Sequence, residues 1–310
     1  MAAAIEVDQL VKRYGPLSAV DGISFEVPAG TVFSFLGPNG AGKTTTTEIL
    51  EGLRARSSGT VRVLGFDPWS EGRALHRRIG VIPQDFRFFE KITAREGIEY
   101  YASLFGVKVD PGELLREVNL EEKADARFDT LSGGQKQKLG LALALVNNPD
   151  ICFLDEPTTG LDPQARRAIW DVIRRLRAGG RTVFLTTHYL EEAELLSDHV
   201  AIINHGRIVA AGSPAEIIRT RGQAERLVFE EAPTLGGWLR RTLGIDGRAD
   251  GDRLVIPLTS KNEAMKILKA VHESGEPWGR FTIERDTLED VFVHLVGRMD
   301  NGVLKTEART

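Results

Sequence analysis

The chain has 310 residues but only one cysteine, Cys152, so it cannot form a disulfide within itself. This scarcity suits a protein that folds in a reducing compartment. The sequence also lacks any apolar run near the roughly 20 residues that a membrane-spanning helix needs. The longest candidate, residues 139–146, is expected to be a core helix. The N-terminus has no basic stretch and no long apolar segment, so we expect no secretory signal.

Neither sign of charge is in large excess. The formal net charge is −4 and the isoelectric point is about 6.0, which gives no electrostatic case for binding nucleic acid. An apolar content of 42% and a charged content of 27% are ordinary for a globular protein. The length allows one large domain and a small one.

A glycine-rich segment, residues 37–44, has the sequence GPNGAGKT. It fits the pattern GxxxxGK[ST], in which backbone N–H groups cradle phosphates and the lysine reaches the β- and γ-phosphates. A predicted strand before it and a predicted helix after it supply the context that this loop requires. We therefore expect Lys43 to neutralise charge on the transferring phosphoryl group and the Thr44 hydroxyl to ligate Mg²⁺. The predicted phosphate-binding residues are Gly37, Pro38, Asn39, Gly40, Ala41, Gly42, Lys43, Thr44 and Thr45.

A second segment, residues 131–135 (LSGGQ), predicts another anion-binding surface. Ser132 is a candidate helix N-cap, and Gln135 three residues later completes a capping box. Two glycines occupy the first turn of that helix, where each costs about 1 kcal/mol relative to alanine. A helix N-terminus without side chains is an anion site. One phosphate loop makes one nucleotide pocket, so a mechanism must use both surfaces.

Two carboxylates, Asp155 and Glu156, follow the apolar strand predicted at residues 151–154. A strand buried on both faces delivers them to the carboxyl edge of the sheet, where open α/β folds bind ligands. We expect Asp155 to bind Mg²⁺, directly or through water. We expect Glu156 to polarise the attacking water as a general base.

A phosphate loop followed by LSGGQ resembles the ATP-binding cassette (ABC) ATPases, the motor subunits of ABC transporters. The resemblance covers about residues 4–220. It implies an active ATPase that uses ATP and Mg²⁺. It also implies that two cassettes pack head to tail, so that the phosphate loop of one and the signature of the other close on the same ATP. The signature residues are Leu131, Ser132, Gly133, Gly134 and Gln135.

The resemblance also assigns roles to residues that no pattern of their own singles out. His188 resembles the switch histidine, which contacts the γ-phosphate and orients water. Gln84 resembles the Q-loop glutamine, which senses Mg²⁺ and the attacking water and links them to the membrane partner. Tyr14 resembles the aromatic residue that stacks on adenine. The implied catalytic set is Lys43, Gln84, Glu156 and His188, and the implied metal ligands are Thr44, Gln84 and Asp155.

Gly160, Leu161 and Asp162 resemble the D-loop, which crosses the seam between two cassettes. Asp162 can at the same time cap the helix that begins at Pro163.

The alternation of strands and helices predicts an α/β fold. We expect a three-layer phosphate-loop NTPase core with an antiparallel β subdomain and a helical subdomain at about residues 86–146, within a nucleotide-binding domain of residues 1–220. A composition break near residues 220–225 precedes a small α+β domain, residues 221–298, of ferredoxin-like βαββαβ type. Its second strand, near residues 244–249, has weak support. Residues 299–310 are expected to be a flexible tail.

Two further segments, residues 51–53 (EGL) and 287–292 (TLEDVF), resemble the drug-exporter branch, in which cassette and membrane protein are separate chains. We therefore expect the ATPase subunit of an exporter of a drug, antibiotic or lipid-like substrate. Its partners would be an integral membrane permease and a second, identical cassette, at the cytoplasmic face of the cell membrane. The permease is expected to dock in the groove between the core and the helical subdomain, next to Gln84. Residues 86–89 either contact it or pack under that subdomain.

Two other functions remain open. One is a soluble ABC ATPase acting on nucleic acid or ribosomes, which the single phosphate loop, the absence of sustained heptads and the mildly acidic charge disfavour. The other is an importer ATPase with a regulatory C-terminal domain, which ligand binding to residues 221–298 would favour. LSGGQ argues against a phosphate-loop kinase outside this family.

Overall fold

The computed structural model describes residues 2–222, 225–258 and 261–300, and the chain divides into two compact units. The first unit ends at Pro214 and the second begins at Ala215. This division lies earlier than the predicted boundary at residue 220, because nearly all of the helix Pro214–Arg221 groups with the second unit. The first unit contains two sheets and the second contains one, and the apolar cores of the two units are separate.

A six-stranded sheet forms the centre of the first unit. Its strands are β3 (Val32–Leu36), β5 (Ile79–Ile82), β6 (Ile151–Asp155), β7 (Thr182–Thr187), β8 (His199–Asn204) and β9 (Arg207–Gly212). They lie in the order β5-β6-β7-β3-β8-β9, and every neighbouring pair is parallel except β8 and β9. Parallel strands are covered on both faces and therefore consist of near-continuous apolar runs. The carboxyl ends of β3, β6 and β7 consequently meet at one edge.

Successive side chains of the central strands enter two different cores, since they point to opposite faces of the sheet. Phe153 and Phe184 join the core shared with a second sheet, and their ring centroids lie 5.5 Å apart. Leu154 and Leu185, the next residue on each strand, join the core beneath the helices. The unit is thus built in three layers around the central sheet.

The second sheet is antiparallel and contains β1 (Ala3–Tyr14), β2 (Leu17–Pro28) and β4 (Ser58–Val63) in the order β2-β1-β4. The sequence pattern predicts strands near residues 5–10 and 22–27, and the observed β1 and β2 are longer. Their ends are largely exposed and pair across the turn at Gly15, whose φ is 57°. Exposed strand ends lack the apolar alternation on which the prediction depended.

The helices of the first unit are α1 (Lys43–Leu50), α2 (Gly72–Leu75), α3 (Ala94–Phe105), α4 (Pro111–Glu117), α5 (Gly133–Ala144), α6 (Pro163–Ala178) and α7 (Leu190–Leu196). The apolar spacing of residues 93–123 predicts helical structure, and the structure divides this segment between α3 and α4. Gly106 ends α3 with a φ of 66°. Asp110 then caps α4 by accepting a hydrogen bond from the Gly112 N–H at 2.8 Å.

The second unit contains α8 (Pro214–Arg221), β10 (Arg226–Glu230), α9 (Leu235–Leu243), β11 (Arg248–Asp250), β12 (Arg253–Pro257), α10 (Lys261–Ser274), β13 (Phe281–Glu284) and α11 (Leu288–Asp300). Its strands lie in the order β11-β12-β10-β13, and every neighbouring pair is antiparallel. From β10 to β13 the order of elements is βαββαβ, which is the ferredoxin-like arrangement. The weakly supported second strand is β11, which is shorter and later than predicted.

Residues 287–290 (TLED) predict a capping box, and one opens α11: the Asp290 N–H donates to Thr287 Oγ1 at 3.2 Å, and the Thr287 N–H donates to Asp290 Oδ2 at 2.8 Å. The predicted flexible tail, 299–310, lies outside the described residues from 301 onward. Within the described ranges, every helix is too short or too polar to cross a bilayer.

Candidate functional site

Lys43 begins α1 directly after the phosphate loop. Its side chain is buried, and Nζ donates hydrogen bonds to the carbonyl oxygens of Gly37 (2.7 Å) and Pro38 (3.2 Å). Burial lowers the pKa of Lys43, while the nearby carboxylates of Glu156 and Asp155 oppose that shift. The ammonium group therefore lies against loop carbonyls that phosphate oxygens can replace as acceptors.

Two glycines of the phosphate loop lie so close to neighbouring residues that a side chain would not fit there. Gly42 has a φ of 109°, and a β-carbon there would lie 2.5 Å from the carbonyl oxygen of Ala19. A β-carbon on Gly37 would lie 2.3 Å from the carbonyl oxygen of Ile203. Both approaches are too close for a real β-carbon. These two glycines hold the loop in the shape that lets a backbone cradle approach phosphate.

Asp155 and Glu156 lie at the end of β6, where β7 fixes both. The Thr186 hydroxyl donates a hydrogen bond to Asp155 Oδ1. The Glu156 N–H donates to the Thr186 carbonyl oxygen (3.0 Å) and to its Oγ1 (3.1 Å). Burial raises the pKa of Asp155, and the hydrogen bond from Thr186 opposes that shift. A threonine on the neighbouring strand thus sets the position of both carboxylates.

The Glu156 carboxylate is where several site residues meet. Its Oε2 accepts hydrogen bonds from Gln84 Nε2 (3.2 Å) and Thr159 Oγ1 (3.0 Å) and lies 3.0 Å from Nδ1 of His188. The Glu156 side chain is only 9% exposed, whereas that of His188 is 40% exposed. The backbone of Glu156 has a φ of 47°. Such a conformation costs a non-glycine residue on the order of 1–3 kcal/mol and is concentrated at active sites.

A cavity of about 310 Å³ lies between the phosphate loop and Glu156. Its lining residues are Ala19, Asn39, Gly40, Gly42, Lys43, Thr44, Thr45, Gln84 and Glu156. The structure therefore brings most of the predicted loop together with Gln84 and with Glu156, the candidate base. His188 joins this group through its contact with Glu156.

Tyr14 is not one of these lining residues. Its ring is 39% exposed at the end of β1. Two cations flank the ring: Lys12 Nζ lies 5.0 Å from the ring centroid and Arg54 Cζ lies 5.5 Å from it. Stacking of Tyr14 on adenine stays a prediction.

The oxygen donors near the cavity suit Mg²⁺. Thr44 and Gln84 line the cavity, and Asp155 precedes Glu156 on the chain. Mg²⁺ binds one or two protein oxygens and takes its other ligands from substrate phosphates and water. Across the part of the chain that the structure describes, no group of three or more His, Cys, Asp or Glu residues is placed to hold a metal. A Mg²⁺ ion here would therefore depend on the nucleotide for most of its ligands.

The signature forms the start of α5 with the predicted capping box. The Gln135 N–H donates to Ser132 Oγ at 3.3 Å, and the Ser132 N–H donates to Gln135 Oε1 at 2.9 Å. A β-carbon on Gly134 would lie 2.9 Å from Cβ of Ala165, so packing against α6 requires glycine there. A β-carbon on Gly133 would meet nothing closer than a leucine methyl group at 3.6 Å. Packing therefore requires glycine at position 134 but not at position 133, a difference that the sequence alone does not reveal.

The D-loop residues lie between Glu156 and α6. Asp162 caps α6 by accepting a hydrogen bond from the Ala165 N–H at 2.8 Å, as predicted. Gly160 has a φ of 75°. Leu161 is half-buried and packs against the core beneath the helices. The D-loop and the start of the signature helix therefore both contact the first turn of α6.

A buried polar cluster close to His188 in the chain was not predicted. Glu192 is fully buried, and its Oε1 accepts a hydrogen bond from Trp170 Nε1 at 2.8 Å. Burial raises the pKa of Glu192, and hydrogen bonds from Thr187, Trp170 and Thr158 oppose that shift. Glu192 shares the apolar face of α7 with Ala193 and Leu196, a spacing that could have pointed to it.

Tyr189 connects this cluster to the histidine. The centroid of its ring lies 4.1 Å from that of His188. The guanidinium group of Arg166 lies over the same Tyr189 ring, with Cζ 4.2 Å from the centroid. Arg166 belongs to α6, the helix that Asp162 caps. The loop that holds His188 therefore contacts the helix that follows the D-loop.

Known proteins resemble this chain over nearly its whole length. The family model described as "ABC transporter" matches residues 20–159. The daunorubicin resistance ATP-binding protein DrrA3 of Streptomyces coeruleorubidus is 38% identical, covering 95% of this chain and 96% of the relative. The Nod factor export ATP-binding protein I of Paraburkholderia xenovorans is 47% identical, covering 96% and 98%.

The fold is likewise that of solved cassettes. The dimeric structure of a bacterial ABC transporter cassette superposes with a TM-score of 0.60 and 25% identity, covering 67% of this chain and 98% of the cassette. The phosphate loop, the signature and the carboxylates at the end of β6 all lie within the part of the chain that the family model matches. The chain belongs to the ATP-binding cassette family, as an ATP-binding subunit of the ATPases that power ABC transport.

Proposed function

We propose that the chain is the ATP-hydrolysing subunit of an exporter whose membrane-spanning part is a separate chain. Two relatives named for drug resistance and for Nod factor export align with it almost end to end. A drug, an antibiotic or a lipid-like molecule is therefore the substrate class that we propose. The relatives give no support to action on nucleic acid or ribosomes, or to import.

The proposed chemistry rests on one observation, the meeting of Glu156 with Gln84 and His188 beside the phosphate-loop cavity. We propose that Glu156 accepts the proton of the water that attacks the γ-phosphate. Lys43 neutralises negative charge on the β- and γ-phosphates. His188 contacts Glu156 through Nδ1, which places Nε2 on the other side of the ring, available to the γ-phosphate.

Thr44, Gln84 and Asp155 would hold Mg²⁺, which when bound neutralises charge on the phosphate oxygens. Tyr14 supplies an exposed aromatic face for adenine.

The replacement Glu156→Gln tests this assignment. Loss of a general base typically costs about 10²–10⁴-fold in rate. We expect turnover to fall by that factor at saturating ATP while the Kd for ATP stays within about threefold, because Lys43 and the loop are intact. The exposed neighbour Glu191→Gln serves as the control and should hydrolyse ATP normally. A Glu156→Gln enzyme that kept half of wild-type turnover would refute the base assignment.

We propose that two copies of the chain pair head to tail around two ATP molecules. The signature residues are not among those that line the phosphate-loop cavity of the same chain. A helix N-terminus capped by Ser132 and opened by two glycines can bind the γ-phosphate only from another copy. A similar cassette has been solved as a dimer, which supports the pairing of two copies.

Dimerisation is measured in the slow Glu156→Gln background by light scattering with and without ATP. We expect ATP to convert monomer to dimer, and Ser132→Arg to prevent the conversion by placing a bulky cation at the seam. Ser70→Arg, an exposed position outside the site, is the control. Full ATP-driven dimerisation of the Ser132→Arg protein would contradict the head-to-tail arrangement.

The permease is proposed to bind the groove between the core and the helical segment. Of residues 86–89, Phe86 and Phe88 pack inside: their rings lie 5.8 Å and 6.0 Å from that of Phe128. A β-carbon on Gly97 would lie 2.9 Å from Phe88. Packing therefore explains these two rings, and Phe89, which is 56% exposed, stays a candidate contact.

Export is tested in the native host. A strain lacking the chain is complemented with the wild type or with Glu156→Gln, and compounds in cells and medium are compared by mass spectrometry. Daunorubicin is added as one defined probe. We expect at least one amphiphilic compound to leave the cells only with the wild-type chain. Equal export by both complemented strains would refute the function.

A further inference from the structure

Two segments of the chain hold the proposed base, Glu156, in place. The segment that follows β6, residues 157–162, contributes Thr159, whose Oγ1 donates a hydrogen bond to Glu156 Oε2 at 3.0 Å. The end of β7 contributes Thr186, whose Oγ1 accepts a hydrogen bond from the Glu156 N–H at 3.1 Å, and His188 follows two residues later. The proposed reaction therefore depends on the relative position of these two segments.

One buried carboxylate, that of Glu192 in α7, joins the same two segments. Thr187 follows Thr186 on β7, so its side chain points to the opposite face of the sheet. The hydroxyls of Thr187 and Thr158 donate hydrogen bonds to the Glu192 carboxylate. Trp170 Nε1 of α6 donates to Glu192 Oε1 at 2.8 Å. Strand β7, the segment after β6 and helix α6 therefore meet at one carboxylate, which is fully buried.

The two threonines bonded to Glu192 lead directly to the groups around the base. Thr158 immediately precedes Thr159, and Thr187 immediately precedes His188. Both threonines are themselves buried, with Thr158 0% and Thr187 1% exposed. Each is therefore a fixed point one residue away from a side chain that contacts the proposed base.

The cost of burying Glu192 indicates a role beyond filling space. A buried carboxylate is unfavourable unless hydrogen bonds compensate for the loss of water. An apolar side chain of similar size would fill the same volume without that unfavourable term, and such replacements of buried charges are often neutral or stabilising. It would, however, leave the donors of Thr158, Thr187 and Trp170 without a common acceptor. Donors from three separate segments converge on Glu192, which is the arrangement of a group that orients its neighbours.

We propose that Glu192 is a positioning residue for ATP hydrolysis. By accepting hydrogen bonds from Thr158 and Thr187, its carboxylate fixes the two segments that contact Glu156. Glu192 is not among the residues that line the phosphate-loop cavity, so it acts through its neighbours and affects kcat more than the affinity for ATP. This inference rests on the proposed function, because it gives Glu192 a part in the reaction assigned to Glu156.

The first experiment measures turnover and ATP binding of the full chain at a temperature at which every variant is folded by circular dichroism. A misplacement of about 1 Å in an active site can cost about 10²-fold in rate, so we expect Glu192→Ala to lower kcat by at least about tenfold. The Kd for ATP should stay within about twofold, because the phosphate loop is intact. Glu192→Gln keeps an acceptor oxygen and should retain about a third or more of the wild-type kcat.

Leu176→Ala is the matched control for lost stability. Leu176 is fully buried in the same apolar core as Trp170 and lies further along the same helix, away from the site. Its replacement should lower the melting temperature but leave kcat unchanged. A kcat of Glu192→Ala within about twofold of wild type, or an equal loss of kcat in Leu176→Ala, would refute the positioning role.

The second experiment keeps Glu192 and changes one of its donors, so it is informative even if Glu192→Ala does not fold. Thr158→Val keeps the shape of the side chain and removes the hydroxyl, whereas Thr158→Ser keeps the hydroxyl and removes a methyl group. If the hydrogen bond positions the segment, Thr158→Val should lower kcat about fivefold or more and Thr158→Ser less than about twofold. If the position only needs to be filled, the serine variant should be the more impaired, and that result would overturn the inference.

A double-mutant cycle shows whether Glu192 acts through Glu156, and it separates the two possible failures. In the Glu156→Gln background, Glu192→Ala should lower the residual rate by less than about threefold, because the group that it helps to position is already gone. The same tenfold loss in both backgrounds would contradict the proposal. If Glu156→Gln abolishes turnover and Glu192→Ala does not affect it, only this inference fails. If Glu156→Gln itself hydrolyses ATP normally, the proposed chemistry fails as well.

Discussion

Replacing Glu51 by glutamine keeps the size of the side chain and removes its charge. Glu51 is the C-cap of α1 and is only 5% exposed, and within the described residues its carboxylate makes no hydrogen bond and no ion pair. In the isolated chain we expect this change to increase the free energy of unfolding, because the native state must either protonate Glu51 or keep an unpaired charge nearly buried. The pKa of Glu51 is raised from 4.5 to about 8. Because the pKa of this acid is higher in the folded state, protonation of Glu51 favours the folded state. This contribution to the free energy of unfolding is fully present below pH 4.5 and is lost as the pH rises to about 8.

The size of the effect follows from linkage. One pKa unit corresponds to about 1.4 kcal/mol, so the interval between the unfolded and folded pKa values of Glu51 gives glutamine an advantage of roughly 3 kcal/mol at pH 7 and about 4 kcal/mol at pH 8. At pH 5 the advantage falls below about 1 kcal/mol, because the pH is then only slightly above the unfolded pKa of 4.5 and ionisation of Glu51 in the unfolded state gains little free energy.

Urea unfolding of the wild type, Glu51→Gln and the exposed control Glu71→Gln at pH 5 and pH 8 measures this difference. We expect the Glu51→Gln advantage to be about 3 kcal/mol larger at pH 8, with no comparable change for the control. An equal advantage at both pH values, or a wild type that is the more stable protein at pH 8, would show that Glu51 is not an unpaired buried acid.

Two further predictions concern the neighbourhood of the site and are checked by thermal melting with ATP binding as a control. Glu192→Ala leaves the buried Trp170 N–H without an acceptor and should lower the free energy of unfolding by about 2–4 kcal/mol. Glu192→Gln keeps an acceptor and should lower it by less than half as much. Equal losses in the two variants would mean that the hydrogen bond is unimportant. Gly134→Ala places a β-carbon 2.9 Å from Ala165 and should lower the free energy of unfolding by about 1–3 kcal/mol. Gly133→Ala should be neutral or stabilising. The reverse order of stabilities would refute the packing explanation.

The sequence predicts best what local pattern determines. Strands β3, β6 and β7 are recognisable because a strand covered on both faces is apolar throughout. The capping box of Ser132 and Gln135 and the cap at Asp162 are also local, since each joins residues three apart. The resemblance to the ABC family then places these local features in the correct order.

Contacts between distant residues could not be predicted. Thr186 positions Asp155 and Glu156 from a neighbouring strand, and nothing around Thr186 in the sequence marks it. The need for glycine at position 134 arises from Ala165 on another helix. The sequence marks Glu51 only as part of the EGL segment at residues 51–53. Its unpaired state depends on which elements cover it and on where its basic neighbours find partners.

The contacts of Glu156 bear directly on how ATP could start the reaction. Its Oε2 has three polar neighbours, Gln84, Thr159 and His188, yet a carboxylate oxygen offers about two lone-pair sites. Water that must lose a proton to this oxygen therefore competes with groups already bound to it. When ATP and Mg²⁺ bind, Gln84 would contact Mg²⁺ and His188 would contact the γ-phosphate. Both residues would then leave Glu156 Oε2. Thr159 alone would then remain, and one acceptor site on Oε2 would become free only when nucleotide is present.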